Sequence, residues 1–368
     1  MHQKHPKLAR PAQGNYARTE FAFVGSTCKR MEALMREWAT ELSGISRVVT
    51  VTGEHAEPEV PTSLRFGRKR FAAMTEDWND YDDRLLGRPY DVALVNGNHY
   101  PAARQIVFVD EKKAGTLERR AEQLTDIFAV IHVSGETSMP PWLRDRCREQ
   151  HRPPVLTSIS VPEPVLSALR TTVEAAVPRL QALILAGGAS SRMGTAKDRI
   201  VYRDGQTELE RLHQLCLSCG VPAFVSISGA RTGDPFPAPV ITDRFLGLGP
   251  AGAIASAFLA QPDVAWLVLA CDLPLLDRTT LDRLIEARDP VRTATALQGP
   301  GREWPEPLVA IYEPRAYPRL LQFLGLGYSC PRKLLINSPV KVVELEDATP
   351  LTNANTPDER DRVREILG

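Results

Sequence analysis

The chain has 368 residues, 43% hydrophobic and 24% charged, enough for two ordinary domains and too apolar for extended disorder. Lys and Arg together number 45, as do Asp and Glu, so no global basic excess points to nucleic acid or an anionic membrane, and a phosphate-bearing substrate must be held by local groups. No apolar run approaches the roughly 18 to 20 residues that cross a bilayer, no apolar h-region follows the basic start, and six cysteines form no disulfide framework, so the expectation is a cytoplasmic protein in a reducing compartment.

The N-terminal part, residues 1–150, alternates strand and helix. Residues 20–24 predict a strand, and 29–42 a helix with Met31, Leu34, Met35 and Trp38 on one face. Residues 47–51, 91–95, 106–109 and 126–133 read as further strands and 117–124 as a helix, which implies an α/β domain with a mostly parallel sheet. Residues 151–178 carry Pro153, Pro154, Pro162, Pro164 and Pro178 around one short helical stretch, 165–176. This density of fixed φ and missing donors predicts a proline-rich connector.

Residues 179–368 alternate more strongly. An apolar strand at 181–185 leads into a glycine loop. Thr207 with Glu210 makes a capping box for a helix that Gly220 stops. Strands follow at 223–227, 265–270 and 308–312, with helices at 252–259 and 282–287. The expectation is a doubly wound, Rossmann-like α/β domain.

The most informative stretch follows the first of these strands: Leu185, Ala186, Gly187, Gly188, then Arg192, Met193, Gly194 and Lys197. Adjacent glycines let the backbone approach a ligand, and their N–H groups can accept an anion. Arg192 offers a planar fork of donors and Lys197 a mobile point charge, a pair suited to a polyphosphate. No Gly-Lys-Ser/Thr is present, so this is not a Walker A loop, and the adjacent glycines do not fit a dinucleotide fingerprint. Asp272 falls just past the end of a buried strand, where open α/β sheets bind their ligands. A lone carboxylate there suits Mg²⁺, though an aspartate so placed also suits a helix N-cap.

This loop resembles the opening motif of the MobA-type molybdenum cofactor guanylyltransferases. Gly187 matches the guanylyl members, where cytidylyl members usually carry alanine. Further matches come in the family's order: Asp243 with its Gly-Pro-rich turn, Cys271-Asp272-Leu273-Pro274, the strand from Pro307 to Tyr312, and Asn353-Ala354-Asn355-Thr356-Pro357. The resemblance covers about half of the chain. It implies transfer of GMP from GTP to the phosphate of molybdopterin, or its molybdenum form, with release of pyrophosphate.

The resemblance also implies roles. Lys197 and Arg192 meet phosphate oxygens, Asp272 holds Mg²⁺, and Leu185, Ala186, Gly187, Gly188, Ser226 and Asp243 line the nucleotide. Asn353 and Asn355 face the acceptor, although Asn355 also suits a helix cap. Arg332 and Lys333, in an expected loop, are candidates for the pterin phosphate. The implied protein partner is a receiving molybdoenzyme or cofactor-insertion protein. Ser226 departs from the family, which can place an asparagine there, and a hydroxyl replaces only part of an amide's hydrogen bonding. The alternatives are a cytidylyl or other nucleotidyltransferase and a non-catalytic pterin-binding protein.

Two other features carry less. Cys216 and Cys219 have metal-like spacing but lack a second pair, and both suit the core face of their helix. In the N-terminal part, the strand ending in Asn96 and Gly97 resembles the GTP-binding MobB adaptor often fused to MobA. The P-loop is missing, so a degenerate adaptor without GTPase activity is implied, with an unrelated α/β partner domain as the alternative.

Overall fold

The computed structural model describes residues 14–53, 62–66, 69–73, 80–134, 138–186, 197–231 and 234–368. The chain divides into two compact units, Met1–Val177 and Pro178–Gly368.

The first unit runs β1 (Thr19–Val24), α1 (Cys28–Leu42), β2 (Val48–Val51), a hairpin of β3 (Thr62–Phe66) and β4 (Lys69–Ala73), α2 (Asp80–Gly87), β5 (Val92–Asn96), β6 (Arg104–Val109), α3 (Ala114–Glu118), β7 (Ile127–His132), α4 (Pro141–Arg148), β8 (Val155–Ser158) and α5 (Glu163–Ala175). Its six-stranded sheet has the order β2-β5-β1-β6-β7-β8 and is parallel throughout. Alternate residues of one strand serve opposite faces. Phe21 and Phe23 of β1 pack with Met31, Met35 and Trp38 of α1 and with Val165 and Leu169 of α5, while Val24 packs with Leu117 and Leu143 on the other face.

The structure corrects two expectations here. Residues 151–178 are not a connector: β8 closes the sheet edge and α5 buries Val165, Leu166, Leu169 and Val173 in the core. The prolines sit where proline is tolerated, with Pro164 in the first turn of α5. Residues 117–124 are not one helix, because the charged run between Leu117 and Leu124 leaves little to bury; α3 ends at Glu118 and a single 3₁₀ turn follows. The hairpin of β3 and β4 and the helix α4 carried no signal strong enough to predict.

The second unit runs β9 (Leu180–Leu185), α6 (Glu208–Ser218), β10 (Ala223–Ile227), β11 (Val240–Thr242), α7 (Gly249–Ala260), β12 (Ala265–Ala270), α8 (Arg278–Glu286), β13 (Ala294–Gln298), β14 (Val309–Tyr312), α9 (Ala316–Gly325), α10 (Pro331–Ile336), β15 (Val340–Glu344) and α11 (Pro357–Leu367). The sheet order is β11-β10-β9-β12-β14-β13-β15, parallel except for β14, which is antiparallel to both neighbours.

The winding is double. Ala182 and Ile184 of β9 face Leu212 of α6 and Leu281 of α8, while Leu183 and Leu185 face the small-residue helix α7. Gly252 lets that helix close in, since a Cβ there would stand 2.2 Å from the carbonyl oxygen of Phe245. From β9 the chain first builds outward through β10 and β11, then crosses back to β12. The strand order therefore reverses between β9 and β12, and such a switch point leaves a crevice at the carboxyl ends of the strands.

Candidate active site

Register brings the site residues to one edge. Leu185 lies opposite Ser226 on one side and Ala270 on the other, and Ile227 lies opposite Thr242. Asp243 and Asp272 thus follow strand ends that finish together, one just past β11 and one just past β12.

Lys197 lies at the centre. It opens a single 3₁₀ turn after the glycine loop, and its Nζ donates to Asp272 Oδ2 at 3.1 Å and to Asn355 Oδ1 at 2.5 Å. The Asp272 and Lys197 side chains keep 20% and 28% of their exposure, so both reach the crevice while partly shielded from water. The closing turn is pinned to this point by its backbone, because the Ala354 N–H donates to the Asp272 carbonyl at 2.9 Å. Asn353 is half-buried in the same turn.

Two capping alternatives are resolved. Thr356, not Asn355, caps α11 and forms a capping box with Glu359, which frees the Asn355 side chain for Lys197. Asp277, not Asp272, caps α8 and accepts from the Thr280 N–H at 2.8 Å.

On the other side of β9, Ser226 Oγ donates to Asp243 Oδ1 at 2.7 Å, and the Asp243 N–H donates to the Ile227 carbonyl. Burial pushes the Asp243 carboxyl above the usual aspartate range, and the Ser226 hydroxyl opposes that rise. Each carboxylate oxygen has two acceptor sites, so Asp243 can hold Ser226 and still accept from a ligand.

The supporting shell was invisible to spacing. Arg231 donates to the Ala186 carbonyl at 2.7 Å and to the buried Asp198 at 2.8 Å, so it holds both ends of the glycine loop. Arg211 pairs with the buried Glu208 and donates to the carbonyls of Leu273 and Leu276, which holds the turn after Asp272. Apart from Glu208, three residues from Arg211, these partners lie 33 to 65 residues apart in sequence. Burial pushes the Cys271 thiol well up, so it is a packing residue and not a nucleophile. Cys216 is likewise buried in the core, its thiol pushed to about 12 by burial.

Arg332 and Lys333 are not in a loop. Pro331, with its fixed φ, starts α10, and both residues lie in its first turn. Arg332 stands 3.7 Å from Glu306, and the Lys333 amine lies over the Tyr328 ring, 5.3 Å from its centre. Gly187, Gly188 and Arg192 fall outside the described residues, so only the flanks of the glycine loop, Leu185, Ala186 and Lys197, are placed.

Among the described residues no group of three or more His, Cys, Asp or Glu side chains forms a metal cage. A single carboxylate such as Asp272 fits a cation that keeps water and substrate oxygens as its other ligands, as Mg²⁺ does. No helix among them is long and apolar enough to cross a membrane.

In the first unit, the turn after β1 is closed by side-chain contacts to Asp110, which follows β6. Ser26 Oγ donates to Asp110 Oδ2 at 2.6 Å, and Arg30 Nη1 donates to the same oxygen at 2.8 Å.

Comparison with known proteins bears on the second unit. A family profile described as a MobA-like NTP transferase domain matches residues 182–341. A probable molybdenum cofactor guanylyltransferase of Nostoc sp. is 31% identical over 185 residues, covering 49% of this chain and 88% of that protein. A molybdenum cofactor guanylyltransferase of Pseudomonas putida is 30% identical over 198 residues, covering 50% and 96%. A molybdenum cofactor biosynthesis bifunctional protein of Synechocystis sp. is 29% identical over 182 residues, and this chain spans 52% of its length.

Proposed function

The chain belongs, through its second unit, to the MobA-like family of nucleotidyltransferases, and from that premise we propose that it transfers GMP from GTP to the phosphate of molybdopterin or its molybdenum form. The observation that carries this reading is the junction of Lys197, Asp272 and Asn355 at the switch point of the sheet.

An oxygen of the acceptor phosphate attacks the α-phosphorus of GTP. A new phosphorus–oxygen bond forms, the α–β bridge breaks, and pyrophosphate leaves with the bonding electron pair. Charge spreads over phosphate oxygens, so catalysis needs fixed cations more than an acid or base. Lys197, held in place by Asp272 and Asn355, is positioned to exchange one of these contacts for a phosphate oxygen. Arg192 assists from the glycine loop. Asp272 would hold Mg²⁺, which would neutralise charge on the triphosphate.

Asp243 faces the base. A carboxylate can accept from guanine N1–H and its 2-amino group together, whereas cytosine and adenine offer only an exocyclic amine. Ser226 does not supply the amide contacts of an asparagine, but it orients the Asp243 carboxylate instead. Arg332, Lys333, Asn353 and Asn355 serve the acceptor, and a molybdoenzyme or cofactor-insertion protein receives the product. The cytidylyl reading stands only if Asp243 does not meet the base.

Pyrophosphate release with GTP, with and without molybdopterin, tests the proposal. Release that requires both substrates supports it. Release with a different phosphorylated acceptor, and none with molybdopterin, would keep the nucleotidyltransferase and reject the acceptor.

A further inference from the structure

The connection from β13 to β14, residues 299–308, lies at the same end of the sheet as Asp272. This follows from direction: β12 and β13 are both antiparallel to β14, so β13 ends where β12 ends. The connection borders a partly open cavity of about 180 Å³ lined by Gly299, Arg302, Glu303, Trp304, Glu306, Arg332 and Leu351. This is below the roughly 300–1,000 Å³ of a pocket that takes a whole drug-sized ligand. It has room for one end of a ring system.

Its lining combines an aromatic face with a shielded carboxylate. Trp304 remains 44% exposed although it lines a cavity, which leaves ring surface open for stacking. The Glu306 side chain is 17% exposed, with Oε1 accepting from the Leu308 N–H at 3.3 Å and Oε2 standing 3.7 Å from Arg332. Burial pushes the Glu306 carboxyl up, against the Leu308 N–H and the charge of Arg332, which lower it, and the charge of Asp272 adds a smaller rise.

We propose that this cavity takes the pyrimidine end of the acceptor's ring system: its flat face stacks on Trp304 and its 2-amino-4-oxo edge meets Glu306. The inference rests on the reading of the second unit as a pterin-accepting transferase and names the residues that select the acceptor. A carboxylate accepts from the 2-amino group and the neighbouring ring N–H of such an edge, and the flat face gains from an aromatic platform. Guanine presents the same edge, so position decides between them. Asp243 lies on the β10–β11 side of β9, whereas the cavity lies beyond β12, by β13 and β14. The two carboxylates thus stand on opposite sides of Asp272, one for each ring of the product.

The test is calorimetry on the whole chain with 6-hydroxymethylpterin, and with 6-hydroxymethyl-lumazine, which has oxygen in place of the 2-amino group. Trp304→Ala should weaken pterin binding roughly five- to hundredfold, the range for removal of a stacking platform, and leave GTP affinity unchanged. The wild type should prefer pterin over lumazine, and Glu306→Gln should erase that preference. If molybdopterin is turned over, its KM should rise in both variants while the KM for GTP stays fixed. Absence of pterin binding by the wild type, or binding indifferent to Trp304 and Glu306, overturns the inference. Failure of GMP transfer with pterin binding still dependent on Trp304 would reject the proposed reaction and keep the cavity's assignment.

Discussion

Lys197 touches both halves of the proposed reaction, since Asp272 comes from the turn after β12 and Asn355 from the closing turn before α11. Asp272→Asn keeps the size of the side chain but removes its charge, and an amide is a poor ligand for Mg²⁺. Turnover should fall on the order of a hundredfold or more, the scale for loss of a preorganised electrostatic group, with the melting temperature little changed. Unchanged pyrophosphate release in that variant would remove Asp272 from the site. Asp243 gives a pH signature. Its carboxyl is raised by burial, so it takes up a proton at higher pH than an ordinary aspartate. Once protonated it loses half of its pairing with guanine. The advantage of GTP over CTP in kcat/KM should therefore shrink as pH falls, starting above the usual aspartate range. Ser226→Ala removes the hydroxyl that stabilises the charged form, so it should move this onset to still higher pH. A GTP advantage flat across the acid side, or an onset unmoved in Ser226→Ala, would contradict the role of Asp243.

The turns depend on elements that fix them. Arg211 and Glu208 share one turn of α6, with Glu208 at 1% exposure and Arg211 at 12%. Arg211→Met should cost roughly 3–5 kcal/mol in urea unfolding, because it leaves a buried carboxylate uncompensated. It also removes two donors from the Leu273 and Leu276 carbonyls, so turnover should fall with stability. Pairing it with Glu208→Leu should recover most of the stability, and failure to do so would show that the carbonyl contacts dominate. Thr356→Ala should cost about 1 kcal/mol as a lost N-cap and loosen the Asn355 contact to Lys197. The capping box of Thr207 with Glu210 could be read from the chain, because cap and partner are three residues apart, whereas that of Thr356 with Glu359 was hidden behind Asn355, an equally good cap type one position earlier. The buried strands β9, β10 and β12 were equally legible as short apolar runs. The edge strand β15 was not, since it leaves Lys341 and Val342 exposed and shows no alternation. Asp272, Asp243 and Lys197 could be picked out by motif. Arg231, Arg211 and Glu306 could not, because tertiary contacts alone assign their work.

At the scale of the whole chain, each unit has its own sheet, parallel throughout in the first and parallel but for β14 in the second, and the match to the MobA-like nucleotidyltransferases falls on the second. The turn after β1 lies at the carboxyl end of its sheet, where a nucleotide site would be expected. Ser26, Arg30 and Asp110 close on one another there, and no P-loop precedes α1. We propose that the first unit binds no nucleotide and serves as an adaptor. Calorimetry of the full chain with GTP should give one site per chain, unaffected by Arg30→Ala. A second GTP site sensitive to Arg30 would contradict this. The central claim, GMP transfer directed by Asp243 and centred on Lys197 and Asp272, is met most directly by competition in a single tube. GTP and CTP at equal concentration are offered with molybdopterin, and the dinucleotide products are counted by mass spectrometry. The carboxylate's two contacts to guanine against one to cytosine predict roughly ten- to hundredfold more guanine product, from one charge-assisted hydrogen bond of about 1.5 to 3 kcal/mol. Equal yields of the two products, or cytosine product in excess, would contradict it.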